Sequence, residues 1–424
     1  MIKRDYYLEK LIDAKGNGEI KVITGIRRSG KSVLLFDLFY EYLLNNGVNQ
    51  DNIIKIKLDE RRYYKYRNPI VLAEYVEGLV VNKENERFFL FIDEVQLTLK
   101  VVDKENENIE VTIYDLLNEL KSYKNLDVYV TDSNSKGLST DIATEFRGRA
   151  TQINLYPLSF KEYYNYVGGD KNKALNEYML YGGMPRVLLL KDDSLKKDYL
   201  TKLYEEVYLK DIVERYGVLK EDILNEILDF LAFQISSLTN PNNIANALSS
   251  SRREKVNPTL VASYVQYIID SFLVSCAKRY DIKGKRYFNY PNKYYYVDMG
   301  LRNARLNYRQ FDPGHIMENI LYNELLRRGY SVDVGVVSDR NNGSNAQKEI
   351  DFVVNDGDKR VYIQSAFRID SEKKENSELE SLMLSKDFFK KIVVRMDISH
   401  NYYDHNGIFH CNLIDVLLER VGLF

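Results

Sequence analysis

The sequence predicts an α/β protein: a parallel sheet of the P-loop NTPase type with a helical lid, then a winged-helix-like middle and a further α/β unit. Three observations predict it. Apolar β-like runs alternate with helical stretches between residues 20 and 134, which argues for a parallel sheet with ligand at the carboxyl ends of its strands. GIRRSGKS, residues 25–32, stands between the first of those runs and the first helix. A later run, FFLFIDEV, is almost wholly apolar until it ends on two adjacent carboxylates, as in a strand covered on both faces.

The first run, IKVIT (20–24), reads as a strand, and SVLLFDLFYEYLL from Ser32 onward carries apolar residues at helical spacing. NIIKIKL (52–58) is a second strand, followed by the basic-aromatic RRYYKYRN and an amphipathic helix around Leu72 to Val80. RFFLFIDEV (87–95) is the third strand and LDVYVTDSN (126–134) the fourth, with the charged KVVDKENENIEV (100–111) between them as a surface insertion. After Tyr156-Pro157 the pattern turns helical, from Lys161 to Phe233. Two helices around a turn follow, SSLTNPNNIANALSS and NPTLVASYVQYIIDSFLV, then strands in CAKRYDIKGKRYFN and KYYYVD, an order that suits a winged helix-turn-helix. The last unit begins at Gly314 with GHIMENILYNELLRRGY as a helix, strands at SVDVGVV, EIDFVVN and VYIQSAF, then a helix and the strand KKIVVRMD.

Bulk properties bound the function classes. A chain of 424 residues exceeds what one core usually supports and suggests two or three domains. With 60 basic and 62 acidic residues, the overall charge gives no argument for a polyanion partner, although a local basic patch is compatible with it. Cys276 and Cys411 lie far apart with no histidine near in sequence, so neither a disulfide framework nor a zinc site is indicated. No run of about 18 apolar residues is present, and MIKRDYYLEK does not lead into a signal-peptide core. The expectation is a soluble cytoplasmic protein without a membrane partner.

GIRRSGKS satisfies the pattern G-x-x-x-x-G-K-[ST]. Gly25 and Gly30 let backbone N–H groups curl around phosphates, Lys31 meets β/γ-phosphate charge, and Ser32 offers a hydroxyl to Mg²⁺. The expected ATP contacts are therefore Gly25, Ile26, Arg27, Arg28, Ser29, Gly30, Lys31, Ser32 and Val33. In FFLFIDEV the paired acids emerge together from a strand that cannot hide charge cheaply. Beside a P-loop, Asp93 joins Ser32 as a Mg²⁺ ligand, and Glu94 polarises the water that attacks the γ-phosphate. Asn134, at the end of the fourth strand, is a candidate sensor of γ-phosphate or lytic water. Arg147 and Arg149 are candidate phosphate contacts, in the same subunit or as a finger on a neighbour in a homo-oligomer, with two surface arginines as the plain alternative.

These motifs, together with FRGRA, YPLSF, YGGMP (181–185), LKDIVERYG (209–217), RYDIKGKRYF and the GHIMENILYNELLRRGY helix followed by KEIDFVV, make the chain similar to a prokaryotic family. It resembles the AAA-type ATPases that carry a C-terminal restriction-endonuclease-like domain of unknown function. The resemblance implies an ATPase core over 1–157, a helical lid over 158–220, a winged-helix-like domain over 221–300 and a nuclease-like α/β domain over 301–424. Asp132 departs from the family pattern, which has glycine before Ser-Asn.

Nucleases of the PD-(D/E)xK type need a helical Glu, a strand Asp and an acidic-x-Lys pair on the next strand. Glu318 and Asp351 match the first two. The third position reads Gln364-Ser365-Ala366, an amide and a methyl group in place of carboxylate and ammonium, so the expectation is a nuclease fold without nuclease activity. Lys348, beside Glu349, is the candidate for a migrated lysine that would rescue it. In the helix-turn-helix stretch, Asn257 to Ile269 is the candidate recognition helix, with Lys255, Lys283, Lys285 and Arg286 placed to meet DNA phosphates. RRYYKYR (61–67) is compatible with stacking on single strands or with a solvated loop. Three functions fit: ATP hydrolysis coupled to DNA or nucleoprotein binding, a slow nucleotide-dependent switch acting on a protein partner or on its own oligomerisation, and an ATP-gated nuclease, which Gln364 and Ala366 disfavour.

Overall fold

The computed structural model describes residues 2–102, 110–133, 150–339 and 346–424. The chain divides into two compact units, Met1–Tyr156 with Asp270–Phe272, and Pro157–Ile269 with Leu273–Phe424.

In the first unit the strands are β1 (Ile20–Thr24), β2 (Ile53–Lys57), β3 (Phe88–Asp93), a small hairpin of β4 (Val101–Val102) and β5 (Glu110–Val111), β6 (Leu126–Asp132) and β7 (Ala150–Asn154). Five of them form a parallel sheet in the order β2-β3-β6-β1-β7. This is the P-loop NTPase fold that the alternating runs predicted. Side chains of period two sort its core onto the two faces. Val22, Ile54, Ile56, Phe88, Leu90, Ile92, Val128 and Val130 pack on one side, beneath the helices Pro69–Val80 and Ile113–Leu120. Ile23, Ile53, Phe89, Phe91 and Tyr129 pack on the other, against Tyr7 and Leu11 of the N-terminal helix Asp5–Asp13 and against Leu34, Leu35 and Phe39. Each such side chain contributes about 1.5–3 kcal/mol on burial.

One charge interrupts this apolar layer. Lys21 is fully buried and pairs with Asp127, whose second oxygen accepts hydrogen bonds from Gly16 N and Tyr129 Oη, each at 2.9 Å. The fourth-strand neighbour therefore supplies what a lysine inside a central strand requires. The RRYYKYR segment is a 3₁₀ helix, Arg61–Arg67, in which Tyr66 is buried and Arg67 donates to Leu58 O at 2.8 Å.

The second unit opens with the helices Phe160–Val167 and Lys171–Tyr181. The run Asp193–Lys202, Leu203–Leu209 and Lys210–Tyr216 follows with its middle segment wound as π-helix, then the helix Glu221–Phe233. The YGGMP turn has a packing reason. Gly183 N donates to Asp298 Oδ2 at 2.6 Å, and a Cβ on Gly182, whose φ is +72°, would fall 2.1 Å from Asp298 Oδ1. The same carboxylate caps the helix Met299–Arg305 through Leu301 N at 3.1 Å.

After β8 (Leu238–Thr239) come the helices Pro241–Arg252 and Pro258–Asp270, then β9 (Val274–Asp281) and β10 (Arg286–Tyr296). The C-terminal strands are β11 (Ser331–Asp339), β12 (Ala346–Asp356), β13 (Lys359–Ala366), β14 (Lys390–Arg395), β15 (Tyr402–Tyr403) and β16 (Phe409–Asn412). The order is β15-β16-β14-β13-β12-β11-β9-β10-β8, nine strands in one sheet. Two expectations are corrected by it. KYYYVD is no separate strand but the end of β10, which resumes pairing with β9 beyond an irregularity between Phe288 and Lys293. The boundary expected at 300/301 cuts through this sheet, because β9 pairs in parallel with β11, Arg279 opposite Val334 and Asp281 opposite Val336. Backbone hydrogen bonding across that line makes 221–300 and 301–424 parts of one body. Among the described residues no helix is long and apolar enough to cross a membrane.

Candidate functional site

Parallel pairing brings the ends of β1, β3 and β6 into one row, with Thr24 opposite Asp132 on β6 and Ile92 of β3 opposite Val130. The loop after β1 turns sharply. Gly25 has φ +146°, and a Cβ there would lie 2.2 Å from Leu155 O, so only glycine passes beneath that carbonyl. Gly30 is left-handed at φ +100° and starts the helix at Lys31, which continues through a π-wound turn, Leu34–Phe39, to Asn45. Lys31 is buried and folds back so that Nζ donates to Gly25 O at 2.8 Å and Ile26 O at 3.1 Å. Burial lowers its pKa, against the pull of Glu94, Asp132 and Asp93. Ser29 is fully buried and its hydroxyl has no hydrogen-bond partner. An ammonium resting on neutral carbonyls, an orphaned hydroxyl and a helix N-terminus make a donor set that fits a polyphosphate.

The acidic pair sits directly across from this loop. Asp93 is buried, which raises its pKa, and it is hydrogen-bonded by the hydroxyls of Thr131 and Ser32. Glu94 adopts a left-handed backbone, φ 56° and ψ 54°, held by Glu94 N donating to Thr131 Oγ1 at 3.0 Å. A non-glycine residue in that region costs about 1–3 kcal/mol and persists where the surroundings over-determine it. Here they do: Glu94 Oε2 accepts from Gln96 Nε2 and from Ser133 Oγ at 3.3 Å, while Ser133 Oγ accepts from Gln96 at 3.0 Å and from Arg27 Nε at 3.2 Å. The loop arginine, a hydroxyl and an amide thus aim one carboxylate.

Residues 17–164 match the AAA domain family, and residues 172–312 match a domain of unknown function. An uncharacterized protein of Haemophilus influenzae is 35% identical over 428 residues, covering 99% of this chain and 99% of its own. The chain belongs to one family with that Haemophilus influenzae protein, and its residues 17–164 are of the AAA type. An uncharacterized protein of Methanocaldococcus jannaschii is 28% identical over 398 residues, 88% of this AAA-type chain and 79% of that relative. Among solved structures, the Walker-type ATPase PABY2304 of Pyrococcus abyssi is similar at a TM-score of 0.48 and 15% identity, over 72% of this chain and 96% of that one.

Within the AAA-type site the structure brings Lys31, Ser32, Asp93 and Glu94 together, with Ile26 and Ser29 buried, Arg27 half-buried, and Arg28 and Val33 exposed. Asn134, Arg147 and Arg149 lie outside the described residues. Several contributors were not expected. Arg4 reaches Ser29 O at 3.0 Å and Tyr156 O at 2.7 Å, bracing the loop from the N-terminus. Thr131 ties Asp93 to Glu94, Ser133 and Gln96 orient Glu94, and Asp132 adds a third negative charge that acts on Lys31. The available signal was a hydroxyl-acid-hydroxyl triplet, TDS, closing an otherwise apolar strand. Ser133→Ala removes one of the two donors to Glu94 and should lower kcat about tenfold with KM for ATP unchanged, on the scale of a hydrogen bond to a charged group. Steady-state ATPase kinetics check it.

The AAA-type protein has a second cluster of charge in its other unit. Glu318, on the helix Pro313–Arg327, and Asp351, on β12, do come together, but around Lys293 of β10. Gln364 adjoins them, its Oε1 accepting from Asp351 N at 3.3 Å and its Nε2 donating to Glu378 Oε2 at 3.0 Å, and Ala366 is buried. Lys348, expected as the migrated lysine, instead pairs with Glu380 at 2.9 Å on a partly exposed face. β12 alternates its side chains, so Lys348 faces opposite to Glu349 and Asp351.

Proposed function

We propose that this protein binds ATP with Mg²⁺, hydrolyses it in the cytoplasm, and couples nucleotide state to binding of DNA or nucleoprotein. One observation carries the ATPase part: the Ser32 hydroxyl is hydrogen-bonded to Asp93 while Lys31 lies in the field of Asp93, Glu94 and Asp132, so both motifs meet at one place. In this reading Lys31 and the loop N–H groups hold the β- and γ-phosphates. Ser32 and Asp93 would hold Mg²⁺, which supplies neutralisation of phosphate charge. Glu94, fixed by Ser133 and Gln96, orients the attacking water and takes its proton.

Support for the DNA part comes from the second unit. The order helix Glu221–Phe233, β8, two helices, β9 and β10, with β8 pairing β10 through Thr239 and Asn292, supports the winged-helix reading. The helix Pro258–Asp270 carries no lysine or arginine, so phosphate contact falls to exposed Lys283, Lys285 and Arg286 at the β9–β10 turn, with Lys255 before the helix. Glu318 and Asp351 meeting across a helix and a strand support an endonuclease-like fold, which Gln364 and Ala366 leave without its acidic ligand and lysine.

ATPase activity of the purified protein, measured with and without duplex DNA over a salt series, tests the proposal. Stimulation by DNA is expected, with a binding slope of roughly −0.9 per phosphate neutralised that shrinks when Lys283, Lys285 and Arg286 are replaced by alanine. Turnover indifferent to DNA, with ATP-dependent self-association, would instead establish the switch. Absence of hydrolysis would sink the enzymatic half.

A further inference from the structure

Lys293 is 3% exposed, and its ammonium has three N–H bonds to give. Three carboxylates surround it: Glu318 Oε1 accepts a hydrogen bond at 2.8 Å and Asp351 Oδ1 one at 3.3 Å, and Glu349 Oε1 forms an ion pair with the ammonium at 2.6 Å. Two further donors reach the same carboxylates. Tyr295 Oη donates to Glu318 Oε1 at 2.8 Å, and Ser365 N donates to Asp351 Oδ2 at 2.9 Å. Burial opposes the charge on Lys293, but the three carboxylates outweigh it and hold the ammonium protonated well above its ordinary range.

A helical glutamate and a strand aspartate that share a cation are arranged as ligands for a divalent metal. Here the cation is covalently part of the chain. A Mg²⁺ or Mn²⁺ ion needs the same carboxylate oxygens at about 2.0–2.2 Å, and two cations packed side by side between them repel strongly in a buried setting. Among the described residues no three carboxylate, imidazole or thiolate groups are arranged to hold a metal. We propose that the Lys293 ammonium is the built-in cation of this centre, standing where a divalent metal would be shared by Glu318 and Asp351. The centre therefore takes up no Mg²⁺ or Mn²⁺, cuts no nucleic acid, and serves to pin β10 to the helix Pro313–Arg327 and β12 by charge.

This goes beyond the presence of Gln364 and Ala366 on β13 in place of an acidic ligand and a lysine, which does not say what neutralises the carboxylates that remain. It does not rest on the ATP-site reading, and its failure would leave that reading standing. Mn²⁺ titration of the full-length protein, followed by electron paramagnetic resonance, tests it. Wild type and Asp351→Asn should bind the same number of Mn²⁺ ions with the same affinity. Lys293→Met should gain one further ion, bound at least tenfold more tightly than any weak background, and Lys293→Met/Asp351→Asn should lose it again. A wild-type Mn²⁺ site that disappears in Asp351→Asn, or Mn²⁺-dependent plasmid cleavage that does so, overturns the proposal whether or not the lysine variants fold. A folded Lys293→Met that gains no ion overturns it as well.

Discussion

Glu94→Gln should bind ATP as tightly as the wild type and turn it over roughly 10²–10³-fold more slowly, the scale of removing a positioned general base. The substitution keeps shape and leaves an oxygen to accept from Gln96 Nε2 and Ser133 Oγ, so the left-handed turn at residue 94 and its hydrogen bond to Thr131 are preserved. What is lost is the negative charge that accepts the proton of the attacking water. Single-turnover hydrolysis beside an equilibrium binding titration separates the two effects. Undiminished turnover would transfer the role to another carboxylate, and Asp132, which also acts on Lys31, is the next to replace.

Lys31→Ala should abolish measurable ATP binding at ordinary concentrations. Losing one partner of a buried, hydrogen-bonded charge pair costs about 2–5 kcal/mol, a weakening of roughly 30- to 4,000-fold. The nucleotide-free protein should not suffer in proportion. Its Lys31 ammonium is desolvated and bonded only to neutral carbonyls at 2.8 and 3.1 Å, so removing it relieves burial of charge as it deletes two hydrogen bonds. Thermal unfolding reads both. In the wild type, ATP at about 100 times Kd contributes about 2.7 kcal/mol, which should raise Tm by several degrees. In Lys31→Ala that rise should vanish while the unliganded Tm stays near the wild-type value. A full ATP-induced shift in the variant would contradict the role given to Lys31.

Legibility from sequence differed element by element, for physical reasons. β1, β3 and β6 were plain because strands buried on both faces write their burial as continuous apolar runs. β7, ATQIN, was not, since an edge strand with only Ile153 buried shows polar alternation and is recruited by backbone pairing with β1. The end of β10 reads as a strand of its own because its pairing with β9 is interrupted between Phe288 and Lys293. Its union with the C-terminal strands depends on a parallel contact between residues near 280 and 335, which no local pattern encodes.

The same division runs through the two charged centres. GIRRSGKS and the Asp93-Glu94 pair are legible because the chemistry of each is carried by consecutive residues: a tight turn needs its glycines in place, and a buried strand can release charge only at its end. Sequence by itself therefore determined the parallel sheet, the phosphate loop and the acidic pair facing it. Only the tertiary structure decided that Arg4 braces the loop, that Thr131 and Ser133 aim the acids, and that Lys293 fills the centre between Glu318 and Asp351. Lys293 stands 25 and 58 residues from those partners. In one dimension it is a lone charge before an aromatic run, and only strand and helix packing set three carboxylates around it, because the cost of a buried charge is met by whatever the fold brings near.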